Sequence, residues 1–145
     1  MANFYGQYVG FGAGGVAAGW IYQGETAAYY AAGYGSGYSD RVDKWVFASD
    51  SPTADVADSD VANAGHACGN TELYGWLGSG YNTGARQTAI QKFVFATEAD
   101  MTTVADCDTS RAAASGANDT THGYIIGGQA PSYTDKLERY AFASE

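Results

Sequence analysis

An all-β fold built from a repeated unit is predicted by three observations. The segments Asp43–Asp50 (DKWVFASD), Gln91–Glu98 (QKFVFATE) and Glu138–Glu145 (ERYAFASE) are three versions of one strand, with 48 positions from Trp45 to Phe93 and 47 from Phe93 to Tyr140. A period in this range is the mark of solenoids, propellers and arrays. The composition, with 20 Gly, 12 Tyr, abundant Ala and scarce Leu, suits short strands joined by tight turns. Amphipathic helical periodicity is almost absent.

The repeat resolves into four strands per unit. The first is a run of aromatic residues and glycine: Tyr30–Gly33, Trp76–Ser79 and Tyr124–Gly127. The second carries Trp45/Phe47, Phe93/Phe95 and Tyr140/Phe142, where alternate aromatics point to one face. The third covers Ala54–Asp58 and Thr102–Asp106, and the fourth Ala62–Cys68 and Ser110–Gly116. Only Ala, Ser, Gly and similarly small residues fill most of the fourth strand, which predicts a crowded place where neighbouring backbones approach closely. Between the first and second strands, GYGSGYSDR, GYNTGARQ and GQAPSYTD have the composition of exposed turns.

The units run 27–74, 75–122 and, in part, 123–145, preceded by residues 1–26 as N-terminal strands or a docking arm. From Asp50 to Gly75 and from Glu98 to Gly123 the distance is 25 in both copies. Four strands in about 48 residues is the arithmetic of a propeller blade. The expected fold is therefore a β-propeller-like array of four-stranded blades, about three per chain.

The order of these features resembles the Kelch repeat. The hydrophobic strand with paired glycines is Tyr124-Ile125-Ile126-Gly127-Gly128, and the aromatic strand is Leu137-Glu138-Arg139-Tyr140. The Arg-plus-small segment is Thr109-Ser110-Arg111-Ala112-Ala113. The similarity spans two full units and a half. It departs from the family where the double glycine is replaced in the second unit by Gly78-Ser79-Gly80, and where Asp100–Val104 lacks the usual Trp. The phrases FASD, FATE and GYIIGG in an acidic Gly-, Ser-, Thr- and Ala-rich chain are also similar to repeats of bacteriophage tail and fibre proteins.

Three blades cannot close a ring. The third unit lacks its last two strands, while the N-terminal segment holds two strand-like pieces, QYVGFGAGG and GWIYQG. Closure by oligomerisation follows: N-terminal strands of one copy completing the third blade of another give a six-bladed dimer. An N-terminus used as an arm gives a seven-bladed trimer instead. The dimer is favoured.

A formal charge of −9 and a sequence pI near 4.4, with seven scattered basic residues, argue against nucleic acid and against electrostatic attachment to anionic membranes. No apolar run reaches membrane-spanning length, and the N-terminus lacks the basic and apolar regions of a secretory signal. The expected location is a virion assembled in the host cytoplasm. Cys68 and Cys107 fall at different positions of the repeat, so small free thiols are expected rather than a repeat-encoded disulfide.

Candidate chemistry is sparse. Asp58/Asp60 recurs as Asp106/Asp108, and carboxylates two apart share a strand face that could meet a hard cation; calcium ordinarily needs more oxygens, and strand-ending turn chemistry is the competing reading. His66 and His122 align with Ala114 and Tyr74, so neither belongs to the repeat, and no spacing supports a catalytic triad. GFGAGG (Gly10–Gly15) opens no βαβ unit and reads as packing or arm sequence. Lys44, Lys92 and Arg139 form one column, expected to pair with Asp43, Glu138 or a neighbouring blade. Tyr34, Tyr38, Tyr81 and Tyr133 fall in corresponding loops and offer stacking surfaces to a sugar, or cover neighbouring loops. The expectation is a non-enzymatic structural protein of a phage particle, without cofactor, joined to other virion proteins and able to touch a cell-surface glycan. A soluble carbohydrate-binding propeller is the alternative.

Overall fold

The computed structural model describes residues 26–49 and 52–142. Within them the chain is all-β, with no α-helix. Strands β1 (Ala27–Tyr34), β2 (Tyr38–Val46) and β3 (Ala54–Asp58) form a first antiparallel meander. A second is made by β4 (Ala67–Asn70), β5 (Tyr74–Gly78), β7 (Ala85–Val94) and β8 (Thr102–Arg111), with the two-residue β6 (Tyr81–Asn82) added at the start of β7. The third contains β9 (Ser115–Asn118), β10 (His122–Ile126) and β13 (Leu137–Ala141), beside a small ribbon of β11 (Gln129–Ala130) and β12 (Ser132–Tyr133). Among the described residues the sheets form no closed barrel.

The registers demonstrate the repeat independently of sequence alignment. Tyr29 lies opposite Lys44, Trp76 opposite Lys92 and Tyr124 opposite Arg139. Equivalent positions in the three sheets therefore differ by 47 or 48 residues. The tight connections repeat as well, by different chemistry. Thr71 Oγ1 accepts hydrogen bonds from the backbone N–H groups of Leu73 and Tyr74, both at 3.2 Å. At the equivalent place Asp119 Oδ1 accepts from those of Thr121 (2.6 Å) and His122 (2.8 Å), bonds that hold its carboxyl well below the usual carboxylate range.

The third strands fall where expected, β3 at the predicted bounds and β8 extended to Arg111. The fourth strands are displaced from the prediction: they begin at Ala67 and Ser115, not Ala62 and Ser110. The cause is a competing use for the preceding backbone. Ala64 bridges Tyr81 and Ala112 bridges Gln129, so these stretches clamp the loops of the following sheet. The fourth strands then pair with the first strand of the next unit, β4 with β5 and β9 with β10.

Two apolar layers hold the series together. Val42, Ala57, Leu77, Phe93 and Met101 fill the layer between the first and second sheets. Their counterparts Ile90, Ile125 and Tyr140, with Trp76, Cys107 and Phe142, fill the layer between the second and third. The predicted crowding of the fourth strands is present: a Cβ built on Gly116 would overlap the backbone of Cys68, with its nitrogen 2.6 Å away. Across the same contact Asn118 donates to the Asn70 carbonyl (2.8 Å) and accepts from the Asn70 N–H (3.1 Å).

The glycine pair of the resemblance also has a physical basis. Ala32, Ser79 and Gly127 occupy one position with φ of 59°, 63° and 63°, and Gly33, Gly80 and Gly128 follow at 130°, 117° and 99°. The second position lies where only glycine is comfortable, whereas the first tolerates Ala or Ser at a modest cost. Both cysteines are free thiols, Cys68 exposed and Cys107 buried.

Candidate functional site

Three of the four loop tyrosines converge. Tyr34 at the end of β1 and Tyr38 at the start of β2 face each other across the Gly35–Gly37 turn, their ring centroids 5.0 Å apart in an edge-on arrangement. Tyr81 of the next sheet joins them, 6.0 Å from the Tyr38 ring. Loss of hydration, followed by the neighbouring phenols of Tyr81 and Tyr34, raises the Tyr38 pKa.

The support beneath Tyr81 is rigid. Its backbone exchanges two hydrogen bonds with Ala64 (2.8 and 3.0 Å), and the buried Asn63 amide donates to the Ser79 carbonyl at 3.2 Å. Beside it, Asn82 Oδ1 accepts from Gln87 Nε2 at 2.8 Å. Tyr34 is 69% exposed, so the cluster offers aromatic surface and phenolic hydroxyls to solvent. Tyr133, on β12 of the third sheet, is 85% exposed and touches no other ring among the described residues. The site thus contains Tyr34, Tyr38 and Tyr81, without Tyr133.

The aspartates are brought to structural tasks. Asp60 accepts from Thr103 Oγ1 (2.6 Å), tying the first sheet to the second, and Asp106 accepts from Thr88 Oγ1 (2.7 Å) within the second sheet. The Asp58 N–H donates to Asp100 (3.0 Å), and loss of hydration together with Asp40, Asp55 and Asp100 raises the Asp58 carboxyl pKa. The Asp108 N–H donates to Glu138 at 2.9 Å. Among the described residues no group of three or more His, Cys, Asp or Glu side chains is arranged to hold a metal ion.

The cation column pairs in part as expected. Lys44 bonds Glu98 of the neighbouring sheet, and Tyr29 donates to the same carboxylate at 2.6 Å. Lys92 lies 5.3 Å from the Tyr74 ring centroid. Glu138 is engaged by Arg111 and by Lys136 (3.1 Å) rather than by the column. His66, just before β4, has no hydrogen-bond partner at Nδ1, and burial lowers its pKa; His122 opens β10 beside Asp119. His122 Nδ1 lies 2.8 Å from the adjacent Thr121 hydroxyl, which also donates to Asp119 at 2.8 Å. The Gly10–Gly15 stretch lies outside the described residues.

Sequence reasoning did not single out two features. Arg111 is fully buried, donates to the carbonyls of Gly127 (3.1 Å) and Lys136 (3.0 Å), and pairs with Glu138. Its place in the Arg-plus-small segment was the available signal. The second feature is a groove of about 400 Å³ between β8 and β13, lined by Ile90, Cys107, Ile125, Leu137 and Tyr140, with Asp106, Asp108 and Lys136 among its polar residues. In the preceding sheet pair Met101 is packed into the corresponding layer and is 4% exposed. No protein-family model matches the sequence, and neither does any curated protein.

Proposed function

We propose that this protein is a non-enzymatic structural component of a bacteriophage particle, a tail, fibre or head-decoration protein whose copies associate into a propeller-like ring. The observation that carries this reading is the series of repeated sheets with unfinished ends. The edge of β13 opposite β10 has no strand partner among the described residues, and the groove beside it is open. N-terminal strands from a second copy are the proposed completion, and those residues lie outside the described part of the chain. Exposed strand edges invite pairing with another chain, a property suited to a particle component surrounded by copies of itself and by other virion proteins. The phage-like phrasing of the repeats supports the same assignment. Quantitative mass spectrometry of gradient-purified particles tests it. The protein should be present at a fixed copy number, and its absence from particles refutes the role.

The convergence of Tyr34, Tyr38 and Tyr81 favours a second reading, carbohydrate binding at this cluster. Stacked phenols with adjacent amides are suited to sugar rings. On a glycan array the protein should then score hits that Tyr38→Ala and Tyr81→Ala each weaken about tenfold, equivalent to ~1.4 kcal/mol. An array without hits excludes it.

A further inference from the structure

The two outer sheets expose faces that their counterparts inside the molecule bury. On the first sheet Tyr30, Trp45 and Phe47 are 63%, 45% and 47% exposed. Trp45 corresponds to Phe93 and Tyr140, which are 3% and 7% exposed, and Tyr30 to Leu77 and Ile125, at 6% and 1%. On the third sheet Leu137 is 56% exposed, while its counterparts Val42 and Ile90 are buried. Ile126, directly opposite Leu137, extends this second patch, and Tyr124 adjoins it on the same strand face.

These faces match in kind. At the first internal contact, Tyr29 meets Phe93 and Phe95 with centroids 5.2 and 5.1 Å apart. At the second, Trp76 meets Tyr140 (6.4 Å) and Tyr74 meets Phe142 (5.5 Å). Tyr124 is the third member of the Tyr29/Trp76 position, and Trp45 and Phe47 are the missing members of the Phe93/Tyr140 and Phe95/Phe142 positions. A contact used twice within the chain thus has its two halves displayed at opposite ends.

We infer that a second copy of this chain seats its Tyr30/Trp45/Phe47 face on the Tyr124/Ile126/Leu137 face of the first, reproducing the internal sheet–sheet contact between molecules. The interface is heterologous: two different surfaces meet, and each copy keeps its other face free for a further contact. Two copies joined twice in this way place six sheets in a closed series. The charge pattern agrees. Lys44 reaches Glu98 across the first contact, and Arg139, its counterpart on the third sheet, lies opposite Tyr124 and brings the same positive charge to the second face. The inference deepens the ring of the proposed function by specifying its seam, and rests on that oligomeric reading but not on the phage assignment.

Complementation tests it. Trp45→Lys and Leu137→Lys each spoil one face and leave the other intact, and both replace exposed side chains, so the fold should persist by far-UV circular dichroism. Each variant alone should lose association in light-scattering chromatography, with its apparent dissociation constant raised at least a hundredfold. Mixed one to one, they should form a heterodimer through the remaining good pair of faces. Trp45→Phe, carrying the residue of the internal contact, should retain association, and Leu73→Lys, on a turn away from both faces, should behave as wild type. Variants that associate like wild type, or mixtures that stay monomeric, overturn the inference, as does a monomeric wild type. Should Trp45→Lys misfold, loss of association by Trp45→Ala with recovery by Trp45→Phe decides the same question. A failed complementation leaves virion incorporation to be judged by particle composition, so the two readings fail separately.

Discussion

Substituting Gly116 by Ala should destabilise the protein more than any other single added methyl among the described glycines with ordinary backbone angles. The new Cβ would lie 2.6 Å from the Cys68 nitrogen and 2.8 Å from its carbonyl carbon. Comfortable carbon contacts are about 3.5–4.0 Å, so the inner strands β4 and β9 must part by roughly 1 Å. Rigid backbone stands on the far side, with no flexible side chain to yield. Overpacking of this kind costs about 1–3 kcal/mol. Separation also breaks the two Asn118–Asn70 hydrogen bonds, each contributing about 1 kcal/mol. A total of about 3–5 kcal/mol is expected, lowering Tm by about 6–20 °C for a chain of this size. Urea titration at fixed protein concentration measures it as a lower midpoint with an unchanged slope. Gly35→Ala is the control, because nothing lies within 4 Å of its added methyl, and it should stay within about 0.5 kcal/mol of wild type. A Gly116→Ala protein as stable as the control would refute the close approach of β4 and β9.

Two further predictions concern charge. Arg111→Met should cost up to about 3 kcal/mol in denaturant titrations because it leaves Glu138 with only Lys136 and the Asp108 N–H, while a double replacement of Arg111 and Glu138 by Met and Leu recovers part of that loss. Additive losses would mean that the pair is not coupled. The second concerns Glu98, whose carboxyl pKa is held down by Lys44 and then by Tyr29. Its contribution is therefore present at neutral pH and lost as pH falls below about 4.5 and through the depressed value. Because the same contact raises the Lys44 pKa, that side persists until pH climbs through the raised ammonium value. Glu98→Gln should flatten the acid limb of Tm against pH by under about 1 kcal/mol. An unchanged acid limb would remove Glu98 from the account of acid stability.

The strands were legible because their determinants are local. Alternating aromatics at Trp45/Phe47 and Phe93/Phe95, turn residues between them and a constant spacing together locate β2 and β7. The fourth strands were misplaced because Ala62–Cys68 and Ser110–Gly116 contain no alternation to mark a start. What decides their bounds is the pairing of Ala64 with Tyr81 and Ala112 with Gln129, contacts made with the next sheet. The tyrosine loops were recognisable by composition, but the separation of Tyr133 from Tyr34, Tyr38 and Tyr81 depends on how the loops fold back. Arg111 shows a similar limit. Its segment was visible, whereas its complete burial arises only when β10 and β13 bring Gly127, Lys136 and Glu138 around it. Conversely, Ala32 and Ser79 obscured a backbone position that glycine marks openly at Gly127.

The central claim, that chains of this open series complete one another, is tested most directly by the native mass of the purified 145-residue protein across a range of concentrations. The account predicts a two-copy particle near 30 kDa, twice the 15.1 kDa chain, that dissociates or aggregates when residues 1–26 are removed. A stable monomer at every concentration would contradict it.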